Sequence, residues 1–166
     1  MHRTTDLWWV LPGELAGTSM PFIHPDRHDT PGAALGDFAD ELPLLWKEGI
    51  RAVVSMLNNP AAAATYAGVG MAFHLMPVPD GGAPTMEQFR GFIDFVDRQR
   101  SLHHPVAVHC EAGIGRTGTA LAGYLIAKTG MTVEQAITYV RSKRRGAVET
   151  GRQVVFLREV SEAEFP

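Results

Sequence analysis

The chain has 166 residues, 45% of them hydrophobic and 20% charged, with a formal net charge of −3, a composition that gives a globular chain enough apolar mass for its own core. That charge excludes a nucleic-acid or anionic-membrane footprint for the chain as a whole, and no apolar run approaches the ~18 residues of a membrane span. A lone cysteine, Cys110, excludes an internal disulfide and with it the disulfide-scaffold class.

At the N-terminus the apolar run Leu7–Leu11 ends at Pro12-Gly13 and is too short for a signal-peptide core. A soluble, cytoplasmic, monomeric protein folded as one domain over residues 1–166 is expected. "LWWVLPGELAGTSMP" reads as two short strands around a Pro-Gly turn. Phe22 to Gly36 is rich in Pro, Gly, Asp and His, shows no periodicity and reads as loop. Phe38, Leu42, Leu45 and Trp46 then share one helical face that Gly49 ends, and Pro43 either sits inside this helix or marks its start.

"RAVVSML" reads as a buried strand, "NNPAAAATYAGVG" as a loop or short helical stretch, and "MAFHLMPVP" as the next strand, ending at "DGGAP". A long helix follows Thr85, with Met86, Phe89, Phe92, Ile93 and Val96 in helical register and Thr85/Gln88 at capping-box spacing. "PVAVHC" is a strand that delivers the cysteine, and a helix starting near Arg116–Thr117 runs to Thr129 before Gly130. Two more helices open on Thr132/Gln135 and Thr150/Gln153, again at cap spacing. Strands alternating with helices over short connections predict an α/β fold, a mainly parallel central sheet with helices on both sides.

The chemistry concentrates in "HCEAGIGRTG", residues His109 to Gly118. Gly113, Gly115 and Gly118 let the loop curl with its amide N–H groups inward, a nest for an anion. The helix that follows turns its orphan N–H groups and positive dipole end to the same spot. Arg116, six positions after Cys110, adds a guanidinium able to hold two oxygens of a tetrahedral oxyanion. Such an electropositive pocket favours thiolate over thiol and sets the sulfur to attack phosphorus in line. A buried cysteine before a plain connecting turn is the competing structural reading. It does not account for the arginine and threonine at this spacing.

This segment matches the Cys-x5-Arg-Ser/Thr signature of the cysteine-based protein tyrosine phosphatase superfamily. With "WVLPGELAG", "GIRAVVSML", "PVPDGGAPT" and "RSKRRGAVETGRQ" in the same order, the chain resembles the small atypical dual-specificity phosphatases from about Trp9 to Leu157. The resemblance implies the fold expected above, with the signature loop at a strand's C-terminal end. It also implies a two-step reaction through a cysteinyl-phosphate, needing no metal or organic cofactor. Cys110 would be the nucleophile, with Glu111, Ala112, Gly113, Ile114, Gly115 and Arg116 as the phosphate cradle.

Asp80 lies thirty residues before Cys110 between Pro79 and Gly81-Gly82, where the family carries its general acid on a movable loop. Taken alone, Pro-Asp-Gly reads as a turn. Thr117 matches the family hydroxyl that stabilises the sulfur as leaving group, and His109 the histidine that supports the loop. Gln153 matches a glutamine that positions water in some members, although it also satisfies the capping-box spacing, and both readings stand. Glu111 is unusual in a phosphate cradle and should point outward to a basic partner. Asp94 and Asp97 read as the solvated face of their helix. The basic run Arg141 to Gly146 reads as a solvated helix end or as a flank of the site. His24 and His28 have metal-pair spacing only in a helix, which Pro25 and the loop composition oppose.

The expected substrate is a phosphorylated protein bearing phosphotyrosine and phosphoserine or phosphothreonine, or a small phosphomonoester. A non-protein substrate is the alternative: a phosphoinositide, an inositol phosphate, a nucleotide or an RNA 5′ phosphate. A silent phosphate-binding module would lack the cysteine, the arginine or the acid, and this sequence has all three.

Overall fold

The computed structural model describes residues 6–21 and 42–166. Strands β1 (Trp8–Leu11), β2 (Leu15–Thr18), β3 (Ala52–Ser55), β4 (Ala72–Leu75) and β5 (Val106–His109) form one sheet in the order β1-β2-β5-β3-β4. The β1–β2 hairpin is antiparallel, and β2, β5, β3 and β4 run parallel. Helices are α1 (described over 42–47), α2 (Ala62–Gly68), α3 (Met86–Ser101), α4 (Gly115–Thr129), α5 (Val133–Lys143) and α6 (Gly151–Glu162). No helix among the described residues is long and apolar enough to cross a membrane.

The central strands read as unbroken apolar runs because both faces of a parallel sheet are covered. Side-chain alternation then divides the core. Val54, Val106 and Val108 pack with Phe89, Phe92, Leu121, Leu125 and Leu157 beneath α3, α4 and α6. On the other face Val53 and Ala107 pack with Leu42, Leu45 and Tyr66 of α1 and α2. Helix α4 is buried from Gly115 to Ile126, and Gly118 lets the chain at Ala147 approach it closely, since a Cβ there would sit 2.6 Å from the Ala147 methyl. β5 lies between β2 and β3, and in register His109 pairs with Thr18 and Ser55. Whatever follows His109 therefore emerges at the middle of the sheet's carboxyl edge.

Several expectations change in detail. The "NNPAAAATYAGVG" stretch does form a helix, α2. α4 begins at Gly115, and the Gly118 N–H donates to the Ile114 carbonyl at 2.8 Å to close its first turn. Pro43 lies inside the described part of α1, and Gly49 follows it with a φ of +94°. Trp46 is not a core residue: it is 38% exposed and stacks under the Arg51 guanidinium at 3.7 Å. Asp94 is exposed, but Asp97 is not a solvated charge. It accepts from the Tyr124 hydroxyl at 2.5 Å and pairs with Lys128 at 2.8 Å, because α4 brings both partners against its helix. The loop 22–36, with His24 and His28, and Phe38 lie outside the described residues.

Candidate active site

β5 ends at His109, and Cys110 begins the connection to α4. The loop is drawn tight against β2: the Met20 N–H donates to the Glu111 carbonyl at 2.9 Å. Only glycine fits at Gly113, where φ is +68° and a Cβ would overlap the backbone between Thr18 and Ser19. The Thr117 hydroxyl donates to the Cys110 sulfur at 3.1 Å, and both side chains are buried. Helices α3, α5 and α6 open on Thr–Gln capping boxes, whereas α4 opens on Ile114 with no side-chain cap. Its first N–H groups thus have no side-chain cap acceptor, which suits them to an anion.

Arg116 is 6% exposed. Its Nη1 donates to the Val78 carbonyl at 2.9 Å, and its Nη2 lies 3.5 Å from the Asp80 carboxylate. The guanidinium thus stands between the Cys110 loop and the turn after β4. Asp80 itself is 86% exposed at its side chain. The Cys110 sulfur, the Arg116 guanidinium and the Asp80 carboxylate, the last from thirty residues before the cysteine, thus gather at the start of α4.

His109 supports the loop from below. A carbonyl can only accept, so the 2.9 Å contact of Nδ1 with the Cys110 carbonyl places the ring proton on Nδ1. Nε2 then accepts from the Tyr66 hydroxyl at 3.1 Å. Burial pushes the His109 pKa down to about 4, against the bond to Cys110 and with the nearby Arg116 charge. The ring is therefore neutral at physiological pH. Burial likewise raises the Tyr66 phenol far above its ordinary range and keeps it a donor.

The other sequence candidates fall around this centre. Glu111 is half-buried and Ala112 exposed. Gln153 is fully buried. Its Oε1 accepts from the Glu149 and Thr150 N–H groups at 2.7 and 3.2 Å, closing the α6 capping box, and its Nε2 donates to the Gly82 carbonyl at 3.1 Å. The basic run ends α5 with Arg141, Lys143 and Arg145 exposed, and at Arg144 it also flanks the loop. Arg141 donates to the Ala147 and Val148 carbonyls at 2.9 and 2.8 Å, and Arg144 pairs with Asp6 at 2.9 Å and reaches the Ala112 carbonyl at 3.4 Å. Tyr66 is the residue that sequence reading missed. For Tyr66 a signal existed, since Ala62 and Tyr66 stand one turn apart on the buried face of α2. Among the described residues no group of three His, Cys, Asp or Glu is placed to hold a metal ion.

A buried sulfur at the carboxyl edge of a parallel sheet, under an uncapped helix start and beside a buried arginine, defines a member of the cysteine-based protein tyrosine phosphatase superfamily. Residues 32–131 match the model of the "Polymorphic toxin system, DSP-PTPase phosphatase" family, and the chain belongs to that family. Human dual specificity protein phosphatase CDC14A is 29% identical over 154 residues, covering 93% of this chain and 25% of the relative. The chain therefore spans about a quarter of that relative's length. Among solved structures, Tk-PTP in its active form superposes with a TM-score of 0.77 at 26% identity over 95% of this chain and 97% of that one. PTPMT1 in complex with PI(5)P shares the fold, with a TM-score of 0.73 at 21% identity over 95% and 96% of the two chains.

Proposed function

We propose that the protein is a phosphomonoesterase acting on phosphorylated protein side chains, phosphotyrosine together with phosphoserine and phosphothreonine, through a cysteinyl-phosphate. The Cys110 sulfur attacks phosphorus in line as the P–O bond to the leaving group breaks. Amides of residues 111–115, the start of α4 and the Arg116 fork hold the equatorial oxygens. Asp80 gives its proton to the departing oxygen. Water, deprotonated by Asp80, then displaces the sulfur, whose charge the Thr117 hydroxyl stabilises. The observation that carries this reading is the convergence of Thr117 on Cys110 at 3.1 Å with Arg116 on Asp80 at 3.5 Å. Both contacts support Cys110 as the nucleophile and Asp80 as the acid.

Likeness to a dual specificity protein phosphatase over 93% of the chain favours a protein substrate. The cradle's own charges agree: residues 111–115 contain no lysine and one acid, Glu111, a poor lining for a polyanionic headgroup. A cytoplasmic monomer, acting as one catalytic unit in a reducing compartment that keeps Cys110 a thiol, completes the reading.

The test is hydrolysis of p-nitrophenyl phosphate in the presence of a chelator by wild type and Cys110→Ser. The variant should fall to background, and full activity would overturn the mechanism. A panel of phosphotyrosine and phosphoserine peptides beside phosphoinositide vesicles and inositol phosphates then assigns the substrate. Turnover of the lipids or inositol phosphates well above the peptides would replace the protein reading.

A further inference from the structure

The turn bearing Asp80 raises a question of restraint. Its carboxylate is mostly exposed and meets Arg116 only at 3.5 Å, and an ion pair of that kind is too weak to hold a loop. The flanking Gly81, at a φ of +72°, and Gly82 add freedom. Yet the carbonyls of this segment are taken up one after another. Gln88 Nε2 donates to Pro77 at 3.0 Å, Arg116 Nη1 to Val78 at 2.9 Å and the Gly82 N–H to Pro79 at 2.9 Å. Beyond Asp80, the Thr150 hydroxyl donates to Gly81 at 2.8 Å and Gln153 Nε2 to Gly82 at 3.1 Å.

Gln88 and Gln153 are the N3 glutamines of the α3 and α6 capping boxes. Each amide therefore has two duties. Its oxygen caps its own helix, and its nitrogen grips the acid-bearing segment. The Oε1 of Gln153 faces two N–H donors, so the amide cannot flip without setting NH₂ against them. The base of this grip is fixed to the cradle. Arg141 holds the Ala147 and Val148 carbonyls, and Ala147 packs on α4 at Gly118.

We infer that the start of α6 is a strap, with Thr150 and Gln153 as positioning residues that hold the Asp80 turn closed over the cradle in advance of substrate. This rests on Asp80 serving as the acid, and it differs from the movable loop that the family resemblance implies. A strap acts only through the acid, so its loss should be felt in proportion to how much the leaving group needs a proton. Nitrophenolate leaves readily unprotonated, whereas phenolate and alkoxide do not.

The experiment compares kcat/KM, which reports formation of the cysteinyl-phosphate alone, for p-nitrophenyl phosphate and phenyl phosphate in wild type, Gln153→Glu, Thr150→Val, Thr150→Ser and Asp80→Asn. Gln153→Glu keeps an oxygen for the cap and sets a second oxygen against the Gly82 carbonyl. Turnover of the activated ester reports that each variant is folded. General acids contribute about 10²–10⁴-fold, and a displaced acid should forfeit part of that. The ratio of activated to unactivated rates should rise about tenfold in Gln153→Glu and Thr150→Val, rise further in Asp80→Asn, and stay near wild type in Thr150→Ser.

An unchanged ratio in Gln153→Glu and Thr150→Val, with a raised ratio in Asp80→Asn, overturns the strap alone. An equal loss of kcat on both esters at unchanged kcat/KM, with a first-turnover burst of nitrophenolate, would overturn the strap and assign Gln153 to the hydrolytic water. An unchanged ratio in Asp80→Asn removes the acid assignment, and the strap falls with it.

Discussion

At the scale of single residues, the neutral His109 is a statement about stability as well as about the loop. Its ring titrates at about 4 in the folded chain and near 6.5 in an unfolded one. Between those values the unfolded chain binds the extra proton, so folding stability rises with pH across that window. His109 thus contributes fully above about pH 6.5, and the contribution is lost as pH falls toward 4. Its size is on the order of 3 kcal/mol. His109→Asn keeps a donor for the Cys110 carbonyl and cannot titrate. Urea midpoints at pH 7 and pH 4.5 should fall closer together in that variant than in wild type, and parallel slopes would show that His109 is not the titrating group. Cys110, Arg116 and Thr117 were legible in the sequence because a single turn of backbone brings them together. Tyr66 was not. It reaches His109 from 43 residues away, and only the tertiary fold creates that pair.

Helices and their ends form the next scale. The three Thr–Gln boxes are local chemistry, four residues each, and all are legible in the sequence. What local chemistry does not encode is the second use of the glutamine amides, since Pro77 and Gly82 belong to a different element from either helix. The same limit explains Asp97 and the loop contacts of Arg141 and Arg144. A charge on an amphipathic face reads as solvated until a neighbouring element supplies Tyr124, Lys128 or a loop carbonyl. The box on α5 offers the contrasting case, because Thr132 and Gln135 are exposed and distant from the Asp80 turn in the contacts they make. Thr132→Ala should cost about 1 kcal/mol, the usual worth of an N-cap, and lower the melting temperature by roughly 2–4 °C. Both phosphate esters should still turn over at wild-type rates. A changed ester ratio in this variant would mean that helix capping in general, and not the α6 contacts, governs the acid.

Across the whole molecule the alternation of β5 side chains between two cores, Val106 and Val108 on one face and Ala107 on the other, fixes where the loop emerges. Open α/β sheets bind ligands in the crevice at their strands' carboxyl ends. Here that crevice joins the end of β5, the start of α4, the turn after β4 and the entry to α6. An oxyanion seated in it would touch or neutralise groups from most of these at once, so its binding should register as global stability. A ligand bound to the folded state alone at 100 times its dissociation constant adds about 2.7 kcal/mol, several degrees in a chain of this size. Inorganic phosphate should therefore raise the melting temperature of the wild type well beyond chloride at equal ionic strength. In Arg116→Lys the charge remains but the planar fork is lost, and the Val78 carbonyl loses its present donor. The baseline melting temperature should drop for that second reason, so the informative quantity is the phosphate-induced increment. That increment should shrink to the chloride level. An increment that survives the substitution in full would place the anion elsewhere and detach Arg116 from phosphate binding.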